Sequence, residues 1–519
     1  MRFGRNRIVF IGSKSMKKYE IWALLHIFIW GTKEKFLSLR INHKEKDMEK
    51  LLAREKEIEE LRKAYTSDKS EFVVILGRRR IGKTFLVHRF FNDLFDFHYT
   101  GVRNMTLSQQ LENFAIALQE YGGSAFNTKL KDWFDAFRHL RLLLEQKNRR
   151  KRKVVFIDEM PWVDTRNSTF ITAFENFWNG WANMHGDIVF VACGSSTSWM
   201  TNKLEDNQGG LHNRITSRVF LHPFNLRECE EYLHAHGCIW ERYDILRCHM
   251  ILGGVPYYLS LLDPQLSLVQ NIDRLFFQKS PVLYGEFDEL YNALFSNAES
   301  YISIVRTLSE KNSGMTRQEI SDKTKLSGGR LTRMLINLEQ SDFINVYQNF
   351  KSKKKGLSYR LSDFFTLFYF KFIENQRSND EYFWAHRQNT PGINSWQGYT
   401  FEQICLSHLE QIKEELGISG MATSASTWRS NNKQQGAQID LIIDRADRVI
   451  NLCEIKFSQE PYVITKEYAQ KVRNRAALFR EESRTKKSFV ITFITTFGIA
   501  QNIHAGLAQN ELTAEALFR

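Results

Sequence analysis

The sequence predicts an α/β protein of several folded units. A parallel sheet flanked by helices comes first, then a helical segment, then a helix–turn–helix with a β-hairpin, and last a second α/β unit. Three observations predict this order. The chain has 519 residues, which at roughly 150 residues per domain makes about three or four domains. Short apolar runs of strand length at 72–76 (FVVIL), 154–157 (VVFI) and 188–194 (IVFVACG) stand between stretches of helical periodicity, the pattern of alternating β and α units. Hydrophobic residues make up 43% of the chain, with 28 Gly and only 7 Pro, so there is material for buried cores and no low-complexity tract to interrupt them.

Charge and cysteine usage narrow the setting. Lys and Arg number 72 against 59 Asp and Glu, a net +13. Residues 1–47 hold eleven basic and four acidic residues, so +7 of that surplus lies in one short segment. The modest basic balance elsewhere permits a nucleic-acid partner without requiring one. Cys193, Cys229, Cys238, Cys248, Cys405 and Cys453 form no C-x-x-C pair, which excludes a zinc knuckle or disulfide framework and fits reduced thiols in the cytoplasm. The run at 21–30 (IWALLHIFIW) is ten residues long, too short for a membrane span of about 20. Its length suits a signal peptide, but no small-x-small cleavage site follows. Residues 1–47 are therefore expected to be an extension upstream of the native start, with Met48 opening an amphipathic helix, MEKLLAREKEIEELRKAY.

The first motif follows the FVVIL run. Gly77, Arg78, Arg79, Arg80, Ile81, Gly82, Lys83 and Thr84 spell G-x-x-x-x-G-K-T between a strand and an amphipathic run at 85–91, the setting a phosphate-binding P-loop needs. Glycines let the backbone curl so that its N–H groups meet phosphate oxygens, and the helix N-terminus adds a positive dipole. Lys83 is expected on the β- and γ-phosphates of ATP and Thr84 on Mg²⁺. The strand 154–157 ends in Asp158 and Glu159; Asp158 suits the same metal ion and Glu159 the orientation of an attacking water. Residues 95–99 supply a further strand between the two motifs. The IVFVACG run ends in Ser195, Ser196 and Thr197, either a polar sensor of the γ-phosphate or a Ser-rich helix cap. Arg214 and Arg218, in NRITSR at 213–218, are either solvated surface arginines or groups that reach a nucleotide, in the same chain or from a neighbouring subunit of a homo-oligomer.

These residues together resemble the archaeal-type ATPase family, relatives of the AAA+ and STAND ATPases found in archaea and many bacteria. GRRRIGKT, FIDEM at 156–160, CGSS at 193–196, the N-R-x-x-S-R segment and GGVPYYL at 253–259 carry the likeness, and AREKEIEEL at 53–61 matches the family's R-E-x-E-x-x-x-L opening helix. The resemblance spans about residues 48–375 and implies an ATP-binding core with a small helical lid. The domains are accordingly expected at 48–225 for the P-loop core, 226–300 for the lid, 301–375 for a winged helix and 376–519 for the last unit.

Beyond the lid, whose helical periodicity covers 228–262, TRQE at 316–319 is a capping box opening a short helix to about Lys323. Ser327 is placed to cap a second helix with Leu331, Met334, Leu335 and Leu338 on one face and Arg330 and Arg333 elsewhere. Two strands at 343–350 and 357–361 flank a basic tip, KSKKKG at 351–356. This is the winged-helix order. In a DNA-binding version the second helix enters the major groove and the tip lysines meet phosphates; other winged helices make protein contacts.

In the final unit, residues 439–443 (IDLII) and 449–457 (VINLCEIKF) read as a strand pair about a polar turn at 444–447. Asp440, Glu454 and Lys456 then stand on neighbouring strands, where two carboxylates suit a second divalent metal ion and a lysine a water set against phosphate. Glu402, in the helix TFEQIC at 400–405, offers a further acid, and Tyr468 or Lys471 on the next helix can face the same place. Together they resemble the PD-(D/E)XK nuclease pattern, which commonly follows this kind of ATPase and implies a restriction-endonuclease-like α/β fold. One departure stands out: relatives often carry an acid before the isoleucine, where this chain has Gln438. Two functions follow as expectations. One is an ATP-hydrolysing protein acting on DNA through the winged helix and a metal-dependent nuclease-like end. The other is an ATP-driven switch or scaffold whose C-terminal fold does not cut.

Overall fold

The computed structural model describes residues 51–147, 152–205, 210–211, 213–350, 357–376, 379–430 and 436–519. Residues 1–47, including the apolar run at 21–30, and the basic tip at 351–356 lie outside them.

The apolar runs become the sheet they predicted. Strands β1 (Glu71–Leu76), β3 (Lys153–Asp158) and β4 (Ile188–Cys193) are buried at every residue, as expected of strands covered on both faces. With β2 (Phe97–Thr100) and β5 (Ser217–Phe220) they form a five-stranded sheet in the order β2-β3-β4-β1-β5, parallel throughout. Alternation divides β1 between two cores. Phe72, Val74 and Leu76 pack with the helices Leu107–Gly122, Trp133–Gln146 and Phe170–Gly180, while Val73 and Ile75 face Glu55–Thr66 and Lys83–Phe91. Because β1, β4 and β3 are neighbours running one way, their C-terminal ends lie side by side. That places the segments after Leu76, Asp158 and Cys193 in one crevice, where parallel sheets bind ligands.

The opening helix is shorter than its periodicity predicts. It runs Glu55–Thr66, because Ala53 is left-handed at φ 61° and Arg54 is drawn inward to donate to the His222 carbonyl at 2.9 Å. The lid region comprises the helices Leu226–Ala235, Arg242–Leu252 and Pro256–Ser260. Gly254 turns the chain between the last two at φ +66°, where a Cβ would lie 2.1 Å from the Phe224 carbonyl oxygen.

The helices Leu268–Phe276 and Glu286–Leu294 complete the 226–300 region; after them come Ala298–Ser309, Arg317–Thr324 and Gly328–Gln340, followed by the antiparallel pair β6 (Ile344–Gln348) and β7 (Leu357–Leu361). Thr316 and Glu319 close the expected capping box. Ser327 holds the N-cap position of its helix, but its side chain makes no capping bond. The last unit is a mixed sheet in the order β12-β11-β10-β9-β8, formed by β8 (Thr423–Arg429), β9 (Gln438–Arg445), β10 (Val449–Lys456), β11 (Ser488–Thr495) and β12 (Asn510–Thr513). β8, β9 and β10 pair antiparallel, and β10, β11 and β12 parallel, with the helices Pro391–Ser407 and Lys466–Ser483 alongside.

The patterning did not show how closely these later units join. Leu252, Leu335, Phe365, Trp396, Ile455 and Phe518, drawn from the lid to the C-terminus, belong to one buried cluster. The β6 end of the hairpin also covers the β8 edge: Phe350 N–H donates to the Thr427 carbonyl at 2.9 Å, and its ring lies 5.0 Å from that of Phe479. An otherwise open strand edge is thereby partnered. No helix among the described residues is long and apolar enough to cross a membrane.

Candidate functional site

The loop after β1 takes positive φ at Gly77, Arg80 and Gly82. Gly77 has φ +144°, and a Cβ there would meet Ile81 Cδ1 at 2.3 Å and the Leu221 oxygen at 2.4 Å. Gly82, at φ 85°, is the N-cap of the helix Lys83–Phe91. The first bond of that helix runs from Leu86 N–H to the Gly82 carbonyl at 2.9 Å. The amides before it are left for an anion at the helix N-terminus.

Side chains from three strand ends converge on this loop. Lys83 is buried, and its ammonium donates to the carbonyls of Gly77 at 2.9 Å and Arg78 at 3.0 Å and to Ser195 Oγ at 3.4 Å. Thr84 Oγ1 donates to Asp158 Oδ2 at 2.9 Å. The other Asp158 oxygen accepts from Glu159 N–H at 2.9 Å and from the Cys193 thiol at 2.6 Å. Burial, with Asp158 beside it, pushes that thiol well up, so it stays a donor. Glu159, left-handed at φ 46°, accepts from Ser195 N–H at 3.0 Å and from the Ser195 hydroxyl. The Thr84 hydroxyl and the Asp158 carboxylate are oxygen donors already side by side, so these residues fit a magnesium ion.

The three arginines of the loop do not behave as a set. Arg78 was expected with the nucleotide, but its side chain is fully buried and turned away from the loop. Its Nη1 pairs with Asp363 Oδ1 at 2.5 Å and its guanidinium lies 4.8 Å from the Phe343 ring centre. Asp363 in turn accepts from Thr366 N–H at 3.0 Å and Oγ1 at 2.6 Å. Although burial works against its charge, Asp363 and the nearby Tyr258 hold the Arg78 pKa above its ordinary value. Arg78 Nε and Nη2 are buried without a partner among the described residues. Arg80 makes a fork with Glu286 at 3.1 and 3.0 Å and lies 4.1 Å over the Tyr257 ring. Tyr258 hydroxyl donates to the same Glu286 at 3.1 Å. Ile81 is buried in the core beneath the opening helix, and Arg79 is half-buried. Asp363, Glu286 and the two tyrosines thus grip the loop from segments 170 residues or more downstream. No local pattern marks Asp363 or Glu286 for this role.

Arg214 stands apart. It is exposed, and two residues later Thr216 N–H bonds the Phe72 carbonyl at 2.9 Å, at the N-terminal end of β1. The P-loop leaves the other end, about 16 Å away at roughly 3.3 Å per residue. The same-chain reading of Arg214 is therefore set aside. Arg218 lies farther along on β5, opposite Val74.

The C-terminal residues also meet. Glu454 is buried on β10; Tyr468 hydroxyl donates to its Oε2 and Arg475 Nη1 to its Oε1, each at 2.6 Å. Gln438 donates to Asp440 Oδ1 at 2.9 Å, and the Lys456 ammonium lies 5.2 Å over the Tyr468 ring. Burial first, then the charge of Asp440, pushes the Glu402 carboxyl up to about 8. An open cleft of about 1220 Å³ adjoins, lined in part by Asp440, Lys456, Lys466, Lys471, Arg473 and Arg475. Glu402, Asp440 and Glu454 are the expected metal set, and the charges of Asp440 and Glu454 both act on Glu402. Among the described residues no three His, Cys, Asp or Glu side chains converge as ion ligands, and both Glu454 oxygens already hold protein donors. As arranged, these residues do not fit a divalent ion.

Comparison with known proteins bears on the first of these sites. Residues 51–262 match the model of a family described as an ATPase domain predominantly from Archaea. A protein named "Uncharacterized protein MJECL04", from Methanocaldococcus jannaschii, is 24% identical over 413 residues, which is 78% of this chain and 87% of that protein. Among solved structures, the Walker-type ATPase PABY2304 of Pyrococcus abyssi is 17% identical, with a TM-score of 0.45 over 62% of this chain and 95% of its own. The Aeropyrum pernix ORC2 protein is 14% identical, with a TM-score of 0.39 over 61% and 92%. The strand–loop–helix that carries Lys83 and Thr84 and the acidic pair on β3 both fall inside the matched segment. The match supports reading residues 51–262 as an ATPase domain of the archaeal type, with the nucleotide-binding motifs inside it.

Proposed function

We propose that this chain hydrolyses ATP at the crevice of Lys83, Thr84, Asp158, Glu159 and Ser195, and uses the cycle to control a DNA-directed unit formed by its winged helix and C-terminal sheet. The observation that carries the first half is the convergence of three strand ends, which brings the Thr84 hydroxyl to 2.9 Å from Asp158 and Ser195 onto Glu159. Magnesium, when bound, neutralises phosphate charge that the protein alone does not. Thr84 and Asp158 are the residues to hold it. Lys83 exchanges the carbonyls of its own loop for phosphate oxygens. Glu159 serves as the base that takes a proton from water, and for that it must leave Ser195, which occupies both of its oxygens.

The second half rests on contact and charge. The helix Gly328–Gln340 packs against the short helix Thr197–Met200, directly after Ser195. A change at Ser195 therefore has a short route to the winged helix. Arg330 and Arg333 are exposed on that helix, and the C-terminal cleft offers Lys466, Lys471 and Arg473, side chains suited to phosphate backbone. The arrangement at Glu454 favours a DNA-facing unit that does not cut in this form, joining the DNA contact of the first expectation to the non-cutting C-terminal fold of the second, and no metal-dependent step is assigned there. Arg214 is proposed to act only toward the nucleotide of a neighbouring copy.

The test is ATP turnover with and without a duplex of about 30 base pairs, read beside DNA anisotropy at two salt concentrations. Stimulated turnover, with salt-sensitive binding weakened in Lys471→Glu/Arg473→Glu, supports the coupling. Turnover indifferent to DNA, with no binding, would remove the DNA half and leave an ATP-driven switch.

A further inference from the structure

The disagreement between the C-terminal residues and a metal ion has a definite structural cause. Glu454 is a buried carboxylate whose charge is already balanced, since Arg475 Nη1 lies 2.6 Å from one oxygen and Tyr468 hydroxyl 2.6 Å from the other. The ion pair is shielded from water, with side-chain exposures of 13% for Arg475 and 5% for Glu454. A divalent ion on the same carboxylate would stand beside a guanidinium in a low-dielectric pocket, where like charges repel strongly. Asp440, a second carboxylate on the adjoining strand, accepts from the Gln438 amide at 2.9 Å on one of its oxygens.

We propose that Arg475 fills the cation position of the Glu454 site and closes it to divalent ions. This deepens the DNA-directed reading of the C-terminal unit and rests on it. Arg475 projects from the helix Lys466–Ser483 and lines the cleft with Lys466, Lys471 and Arg473. A phosphate backbone drawn there by those residues is a second anionic partner for Arg475, and one that a guanidinium meets with two parallel bonds. Exchange of Glu454 for phosphate frees the carboxylate oxygen that Arg475 held and removes the competing cation, while Tyr468 stays on the other oxygen, so the site opens only under its own polyanion. In an ATP-controlled protein this keeps the acid cluster silent until nucleic acid is in place.

The experiment is Mn²⁺ binding to the full chain without nucleotide, followed by electron paramagnetic resonance. It compares wild type, Arg475→Ala, Arg475→Lys and Arg475→Ala/Glu454→Gln, with circular dichroism to check folding. Arg475→Gln, which retains a donor for Glu454, is a second neutral variant should the alanine variant misfold. The expected result is a Glu454-dependent ion bound at least tenfold more tightly in the neutral variants than in wild type. It should be absent from the lysine variant and lost in the double variant. Equal Glu454-dependent binding in wild type and Arg475→Gln would overturn the inference, and so would no such ion in any variant. If the ion behaves as expected but wild type binds no duplex in an anisotropy titration, the role of Arg475 stands and the DNA-directed reading falls.

Discussion

Asp363→Ala is the substitution that most sharply tests how the nucleotide loop is held. It leaves the Arg78 guanidinium fully buried, with its one ionic partner at 2.5 Å removed and two further nitrogens already unpartnered among the described residues. Removing one member of a buried pair costs about 3–5 kcal/mol, because the remaining charge has neither partner nor water. Loss of the Asp363 cap on Thr366 adds up to about 1 kcal/mol. For a unit of about 150–250 residues, 1 kcal/mol moves the melting temperature by roughly 2–4 °C, so a fall of roughly 6–24 °C is expected. Thermal unfolding at pH 7, followed by tryptophan fluorescence, measures it, with Arg78→Met and Arg78→Met/Asp363→Ala completing a cycle. The double variant should recover much of the loss, since no buried charge remains. A fall under about 3 °C in Asp363→Ala, with additive behaviour in the cycle, would refute the claim that this pair ties the loop to the segment after β7.

Other predictions concern ATP, pH and the hairpin. Lys83→Ala should lose nucleotide binding by at least tenfold in a fluorescent-ATP titration, because the loop's phosphate-facing ammonium is removed; unchanged affinity would remove Lys83 from the site. His249 and His408 are fully buried, and burial pushes them down from 6.5 to about 3 and about 4. The unfolded chain therefore binds more protons than the folded one once pH drops below about 6.5, and stability falls with pH down to those values. At pH 5 each histidine costs about 2 kcal/mol. Since Leu226 N–H donates to His408 Nε2 at 3.1 Å, His408→Gln, which can keep that acceptor, should flatten the pH 7.5 to pH 5 difference in melting temperature; an unchanged slope would contradict this. Phe350→Ala should lower stability by about 1–3 kcal/mol and raise proteolysis at 349–357, and equal protease resistance would show that the hairpin is not anchored at β8.

The parts of this molecule that could be read from sequence are those whose signals are local. The P-loop announces itself because a strand, a glycine turn and a lysine must be contiguous to bind phosphate. The β3 acidic pair and the Ser195 position follow once parallel order puts the strand ends together. The capping box at Thr316 was legible for the same reason, and the β9–β10 pair because alternation and a polar turn sit within twenty residues. What could not be read is what long-range packing decides. Arg78 looks like a nucleotide residue by position, yet its fate is set by Asp363, 285 residues away. Glu454 looks like a metal ligand by spacing, yet Arg475 and Tyr468 arrive from the following helix and occupy it. Arg214 looks near a nucleotide by motif, yet it stands at the opposite end of the sheet. The boundaries at 226, 301 and 376 likewise hide a continuous core, because apolar periodicity tells which residues are buried but not against which partner.

The most direct test of the account is steady-state ATP hydrolysis by wild type, Glu159→Gln and Ser195→Ala, each checked for nucleotide binding. The account predicts that Glu159→Gln binds ATP as wild type does but turns over at least about a hundredfold more slowly, as loss of a general base requires. Ser195→Ala should change turnover without abolishing binding. Wild-type turnover in Glu159→Gln would contradict the assignment of the base and, with it, the central claim that this crevice performs the chemistry.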